Sequence, residues 1–327
     1  MSIKIGLFGY GNIAKAAEIG IAQNSDMKLS AVFTRRNPSD IKTVTGAPVY
    51  RKEDALNLTD KIDVMLMCGG SALDLPKESP EMAKHFNIVD SFDTHAKIPQ
   101  HFINVDKSAK KSKKVAIISA GWDPGVFSLN RLFSEAFLPN GKGYTFWGSG
   151  VSQGHSDAIR RIEGVKKAVQ YTNPSQDALS EVRGGNTPVF LPREMHTRKC
   201  FVVPEKGANK ELIESTIKSM PNYFADYDTT VNFITEEEFE KEHTFMPHGG
   251  TVIRSGTTGS SNENKQIIEY SINLSSNPEF TANILLCYAR AAYRLHKNGD
   301  SGCKTVFDIA PYLLFRGTKE DIVKRLL

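Results

Sequence analysis

The chain has 327 residues, 40% hydrophobic and 24% charged, with a formal net charge of +4. That length supports a sizeable core and two domains, and the composition is that of an ordinary soluble globular protein. The charge is too small to argue for a nucleic-acid partner, and no apolar run approaches the ~20 residues of a membrane span.

Residues 3–8 (IKIGLF) form a short apolar run that reads as a buried strand. Gly9-Tyr10-Gly11-Asn12-Ile13-Ala14 comes next, a G-x-G-x-x-A turn opening a helical stretch that runs to about Gln23. Gly9 permits the tight turn, Gly11 lets the backbone approach a pyrophosphate, and Ala14 lets the helix pack closely on the strand. The phosphates then rest on free N–H groups at the helix N-terminus. A strand before the turn and a helix after it are the context that this dinucleotide motif requires.

A second strand, 28–33, ends at Thr34-Arg35-Arg36, and no acid lies between Asp26 and Asp40. A chain selecting NAD places Asp or Glu here to accept from the ribose 2′-OH, whereas arginine suits a 2′-phosphate. One planar guanidinium can grip the phosphate through two parallel hydrogen bonds, and a second can stack on adenine. The expected cofactor is NADP.

Strand-like runs recur at 62–68, 87–90 and 115–119 with helical stretches between them, the alternation of a parallel, doubly wound sheet. Ligands bind such sheets outside the carboxyl ends of the strands. The segments just after these strands are therefore candidates for the site. They are Cys68-Gly69-Gly70-Ser71, a small turn a cofactor can approach; then Asp90 to His95; then Gly121-Trp122-Asp123-Pro124-Gly125. Two carboxylates, Asp93 and Asp123, are expected at one sheet edge. The basic run Lys107 to Lys114 reads as a solvated helix face.

Beyond about residue 125 the pattern changes. Ile268, Tyr270, Ile272 and Leu274 alternate with polar residues, and Leu212, Ile213, Thr216, Ile217 and Met220 fall on one helical face. An antiparallel sheet with a few helices is expected, then a long helix over 279–298 stopped by Gly299. The fold class is thus α/β, a Rossmann doubly wound parallel sheet with a second α+β domain. The expected division is residues 1–122, completed by 279–327, for the cofactor, and 123–278 for substrate binding and dimerisation. Cys68, Cys200, Cys287 and Cys303 are scattered, with no metal-ligand spacing. No metal is expected, and the absence of a signal-peptide pattern points to a reducing cytoplasm.

Along essentially its whole length the chain resembles the meso-diaminopimelate dehydrogenases, in GYGN, FTRR, SFDTH, SAGWDPG, TFWG, SQGHSDAIRRI, GVKKAVQYT, KCFVV, MPNYF, VNFI, MPHGG, NPEFTA and APYLL. The resemblance implies a homodimer that oxidatively deaminates the D-configured centre of meso-2,6-diaminopimelate with NADP⁺. It implies that Asp93 and Asp123 address the reacting amino group, with Gln153 and Gly154 at that end's carboxylate and Trp122 and Trp147 walling the pocket. It assigns the distant L-centre to Thr172, Arg198, His248 and Asn277. Arg198 rests on its nearness to KCFVV, and Arg193 is its competitor. The rival enzyme reading is another NADP-dependent Rossmann oxidoreductase, but neither an E-K-P triplet nor an H-H pair is present. A catalytically silent NADP-sensing regulator is the alternative from a different class; it predicts loss of the polar site residues, which are all present.

Overall fold

The computed structural model describes residues 2–327, which form two compact units: 2–129 with 278–327, and 130–277. Among the described residues no helix is long and apolar enough to cross a membrane.

The first unit is built on strands β1 (Ile3–Phe8), β2 (Met27–Thr34), β3 (Val49–Arg51), β4 (Val64–Met67), β5 (Asn87–Asp90) and β6 (Val115–Ile117). A last short strand, Gly302–Lys304, joins β6, giving the order Gly302–Lys304, β6, β5, β4, β1, β2, β3. Every pairing is parallel. Parallel neighbours need crossovers, supplied here in part by helices α1 (Asn12–Gln23), α2 (Leu75–Met82) and α3 (Ile98–Ser112). Helices cover both faces of such a sheet, so its strands are continuously apolar: Ile5, Leu7, Val64, Met65, Leu66, Ile88 and Val89 are fully buried. Strand order reverses between β1 and β4, which makes the carboxyl end of that pair the switch point where ligands bind.

Gly9 turns the chain there with φ +108°, and an added Cβ would lie 3.1 Å from the Cys68 carbonyl oxygen. A larger residue would be both strained and crowded. Ala14 and Ala17 are fully buried on the inner face of α1. The basic run 107–114 lies on and just after the last turns of α3, where Lys107, Lys110, Lys111 and Lys113 are exposed.

The second unit holds β7 (Gly141–Trp147), β8 (Gly150–Val151), β9 (Val165–Pro174), β10 (His196–Pro204), β11 (Asp228–Phe233), β12 (His248–Thr258) and β13 (Asn264–Leu274). They make two sheets, β11-β10-β9-β8 and β13-β12-β7. The pairings are antiparallel as expected, divided between two sheets, except that β10 and β11 run parallel, with Thr197 opposite Asp228. The helix Lys210–Ser219 lies between them and supplies the crossover that a parallel pair demands. On that helix Ile213 and Ile217 are buried, in a cluster with Cys200, Val202 and Phe224. Leu212, expected on the same face, is 62% exposed, so the inner stripe is narrower than the apolar pattern implied.

Candidate functional site

The cofactor turn is the first element of the site. Gly11 is the N-cap of α1 and makes no side-chain cap bond, the kind of helix start at which phosphate is held. A Cβ at Gly11 would meet nothing within 4 Å, which is the open approach a pyrophosphate needs. Asn12 and Ile13 open the first turn of the helix.

Beside the turn is a cavity of about 290 Å³ lined by Tyr10, Gly11, Thr34, Arg35, Arg36, Cys68, Gly69 and Gly70, together with Lys52 and Asp74. The two β-strand ends and the Cys68 turn thus converge as expected, while Ser71 lies just outside. Buried Thr34 accepts the Arg36 amide at 3.1 Å, and the Arg36 guanidinium donates to the Tyr10 carbonyl at 2.7 Å. Tyr10 is itself fixed by donating to fully buried Glu18 at 2.5 Å; burial, and then that carboxylate, push its hydroxyl up to about 12. Arg35 forks onto Asp74 at 2.9 and 3.3 Å, and the Gly70 amide donates to the same carboxylate at 2.9 Å.

Lys52 and Asp74 are the residues that sequence reasoning missed. Lys52 comes directly after the three-residue β3, too short to read as a strand, and it pairs with Glu78 while lying 4.5 Å from the Phe8 ring centre. Asp74 falls just after the Cys68 turn, in no pattern that marks a binding residue. The residues present fit NADP: an uncapped helix start, an open Gly11 and three cations around one cavity.

The two carboxylates arise in the same unit, from the loops after β5 and β6. Asp93 is exposed, and its amide donates to the Ser71 hydroxyl at 2.9 Å, joining its loop to the Cys68 turn. Asp123 is half-buried in a tight turn closed by the Gly121 amide on the Pro124 carbonyl at 2.9 Å, next to buried Trp122. Phe127 donates to the Trp122 carbonyl at 2.8 Å and packs edge-on to its ring, which fixes the turn.

In the second unit, the register of β9 and β10 sets Arg198 opposite Thr172, and β8 sets Gly150 on the other side of Thr172. The Arg198 guanidinium bonds the Thr172 hydroxyl and lies 3.9 Å from the centre of the Tyr227 ring. Arg198 is 7% exposed and its Nε has no partner among the described residues. Burial holds its guanidinium below the usual value. Arg193, by contrast, is exposed on the short helix Pro192–Met195, 3.9 Å from Asp228.

His248 is buried at the start of β12, its Nδ1 accepting the Gly249 amide at 2.7 Å. The Val151 amide of β8 donates to the Pro247 carbonyl at 2.8 Å, which brings His248 to the β8–β9 edge. Met246 gathers two more residues: the Asn277 amide donates to its carbonyl at 2.9 Å, and Gln153 Nε2 donates to its sulfur at 3.0 Å. Gln153 and Gly154 open the helix Gln153–Arg160. Trp147 is 37% exposed at the end of β7, its ring 5.5 Å from that of His196.

His196 is buried within this cluster. Its Nε2 accepts the Trp147 amide at 2.9 Å, so a proton there would break the bond. Burial first, and the Arg198 charge second, lower it to about 4; the same two causes lower His155 to about 4. A histidine whose folded value is depressed contributes stability above 6.5, lost as pH falls from there toward about 4. The melting temperature should therefore drop across that window, and drop less in His196→Gln, which can still accept the Trp147 amide. Identical pH profiles for the two proteins would exclude His196 as a contributor.

Comparison with known proteins places the chain in a family. Residues 121–276 match the diaminopimelic acid dehydrogenase C-terminal domain. The meso-diaminopimelate D-dehydrogenase of Acetivibrio thermocellus is 60% identical over 326 residues, 99% of this chain and 98% of that one. The structure of Corynebacterium glutamicum DAP dehydrogenase in complex with DAP is similar with a TM-score of 0.94 and 44% identity, covering 100% of this chain and 99% of the other. An engineered D-amino acid dehydrogenase bound to NADP⁺ is similar with a TM-score of 0.90 and 41% identity, over 100% of each chain. With identity at that level across nearly the whole length, the chain belongs to the meso-diaminopimelate D-dehydrogenase family.

Proposed function

We propose that the protein catalyses the reversible NADP-dependent oxidative deamination of the D-centre of meso-2,6-diaminopimelate. The products are L-2-amino-6-oxopimelate, which cyclises to tetrahydrodipicolinate, and ammonia, on a route to lysine and cell-wall precursors. The observation that carries the reading at the level of residues is Arg198: a buried guanidinium, bonded to Thr172 and with an unpartnered Nε, is built to receive an anion.

When bound, NADP⁺ supplies the acceptor for the hydride that leaves the D-carbon. The amine must be neutral before that step. Asp93 takes its proton, and Asp123 orients the ammonium beforehand and the attacking water afterwards. Water adds to the resulting imine and ammonia departs. Gln153 and Gly154 receive the reacting end's carboxylate at the start of their helix, and Trp122 and Trp147 exclude water. Arg198, Thr172, His248 and Asn277 hold the L end. On the cofactor side, Gly9, Tyr10, Gly11, Asn12 and Ile13 form the phosphate turn, Thr34, Arg35 and Arg36 hold the 2′-phosphate, and Cys68 to Ser71 border the nicotinamide side.

Residues 1–122 with 279–327 act as the cofactor domain, and 123–278 as the substrate and dimer domain. A homodimer is supported by β13, where Ile267 is 42% exposed and Ile268, Tyr270 and Ile272 are half-buried; light scattering should return the mass of two 36.2 kDa chains. A cytoplasmic location accords with four free cysteines. The function itself is tested by following absorbance on adding NADP⁺ and each diaminopimelate isomer. Reduction with the meso isomer and none with the LL isomer is expected; no reduction with meso would refute the proposal.

A further inference from the structure

Asp90 lies at the end of β5 and is fully buried, yet it belongs to none of the roles above. Four donors converge on its carboxylate. The Ser79 hydroxyl reaches Oδ2 at 2.7 Å and His101 Nε2 reaches the same oxygen at 2.8 Å. The amides of Phe92 and Ser119 donate to Oδ1 at 3.1 and 3.0 Å. The Asp90 carbonyl in turn accepts the Ala120 amide at 2.9 Å.

Those partners are not scattered. Phe92 immediately precedes Asp93, and Ser119-Ala120 leads into the turn that carries Asp123. One buried oxygen therefore ties together the two loops that deliver the two carboxylates. Ser119 holds φ +55°, a left-handed conformation that a side chain disfavours and that the Asp90 bond opposes undoing. On the far side, His101 is 3% exposed and stacks on Phe92 with ring centres 4.2 Å apart, so the clamp is closed from both the backbone and the ring. His101 Nδ1 has no partner among the described residues, so the imidazole is oriented by its hydrogen bond to Asp90 and its stack on Phe92.

We propose that Asp90, oriented by Ser79 and His101, is a positioning residue that sets the placement of Asp93 and Asp123 for the deamination step. The inference rests on the reading of those two residues as the groups serving the reacting amine. A loop displaced by about an ångström can cost on the order of a hundredfold in rate without touching the chemistry directly. None of the clamp's partners lies in the Gly9–Ile13 phosphate turn or at Arg35 and Arg36, and its tie to the Cys68 turn runs through the single Asp93–Ser71 bond, so the effect falls on kcat with NADP⁺ binding largely kept.

The test compares Asp90→Ala, Asp90→Asn, His101→Phe and Asp93→Asn in meso-diaminopimelate oxidation at saturating cofactor. Asp90→Ala should lower kcat by about tenfold or more while the KM for NADP⁺ stays within about twofold. Asp90→Asn keeps an oxygen for the Phe92 and Ser119 amides, and both Ser79 and His101 can reverse their donor roles, so it should recover most of that loss. If Asp90→Ala fails to fold, His101→Phe, which preserves the stack on Phe92, should still lower kcat several-fold at unchanged NADP⁺ KM. Wild-type kcat in Asp90→Ala, or in His101→Phe where it alone folds, beside a slow Asp93→Asn would overturn the proposal and leave the reading of Asp93 intact. Equal loss in Asp90→Ala and Asp90→Asn, or a parallel rise in NADP⁺ KM, would overturn it as well. A fully active Asp93→Asn would overturn the reading and the clamp together.

Discussion

Arg198→Ala should cut kcat/KM for meso-diaminopimelate by about 10- to 150-fold, the loss of charge-assisted hydrogen bonds of ~1.5–3 kcal/mol. The same variant should leave the weak oxidation of a small D-amino acid, such as D-alanine, nearly unchanged. Diaminopimelate carries an amino and a carboxyl group at each end, so binding either end alone cannot specify which centre reacts. A residue that holds the distal end contributes to turnover only when the substrate has one, because remote binding energy positions the reacting carbon. Asp93→Asn, in contrast, removes the proton acceptor and should depress both substrates by about a hundred- to ten-thousand-fold. Equal loss of both activities in a folded Arg198→Ala protein would place Arg198 at the reacting end or in the fold.

The second large effect concerns the cofactor. Replacing Arg35 and Arg36 together by Ala should weaken NADP⁺ binding by about tenfold or more and leave NAD⁺ nearly unaffected. The Arg36 guanidinium bonds the Tyr10 carbonyl and that of Arg35 bonds Asp74, which puts both cations at the cavity. A titration of each cofactor against the double variant reads the difference directly. If both affinities fall equally, the two arginines shape the turn and do not recognise the 2′-phosphate.

The features legible in the sequence were local. The glycine turn, the parallel strands and the two carboxylates at one sheet edge each derive from a run of adjacent residues. Long-range pairing was harder to read. The strand Gly302–Lys304 has three residues and exists through its partner β6, far away in sequence. The parallel register of β10 with β11 depends on a crossover helix, whereas the residues of each strand alone suit either direction. Leu212 fits the apolar stripe of its helix and is nonetheless exposed, because the packing face covers only Ile213 and Ile217. Arg193 and Arg198 could not be separated by spacing. They differ in the fold: strand alternation turns Arg198 inward beside Thr172, whereas Arg193 is exposed on the short helix Pro192–Met195. Asp90 was visible as the end of a strand, but its four donors come from four separate segments of chain.

The central claim is that hydride leaves the D-configured carbon and not its L-configured twin. The most direct test supplies meso-diaminopimelate carrying deuterium at one centre at a time, with NADP⁺, and weighs the reduced cofactor by mass spectrometry. Substrate labelled at the D-carbon should give NADPH one mass unit heavier and turn over more slowly, while substrate labelled at the L-carbon should give unlabelled NADPH at the ordinary rate. Label appearing in the cofactor from the L-carbon would contradict the account.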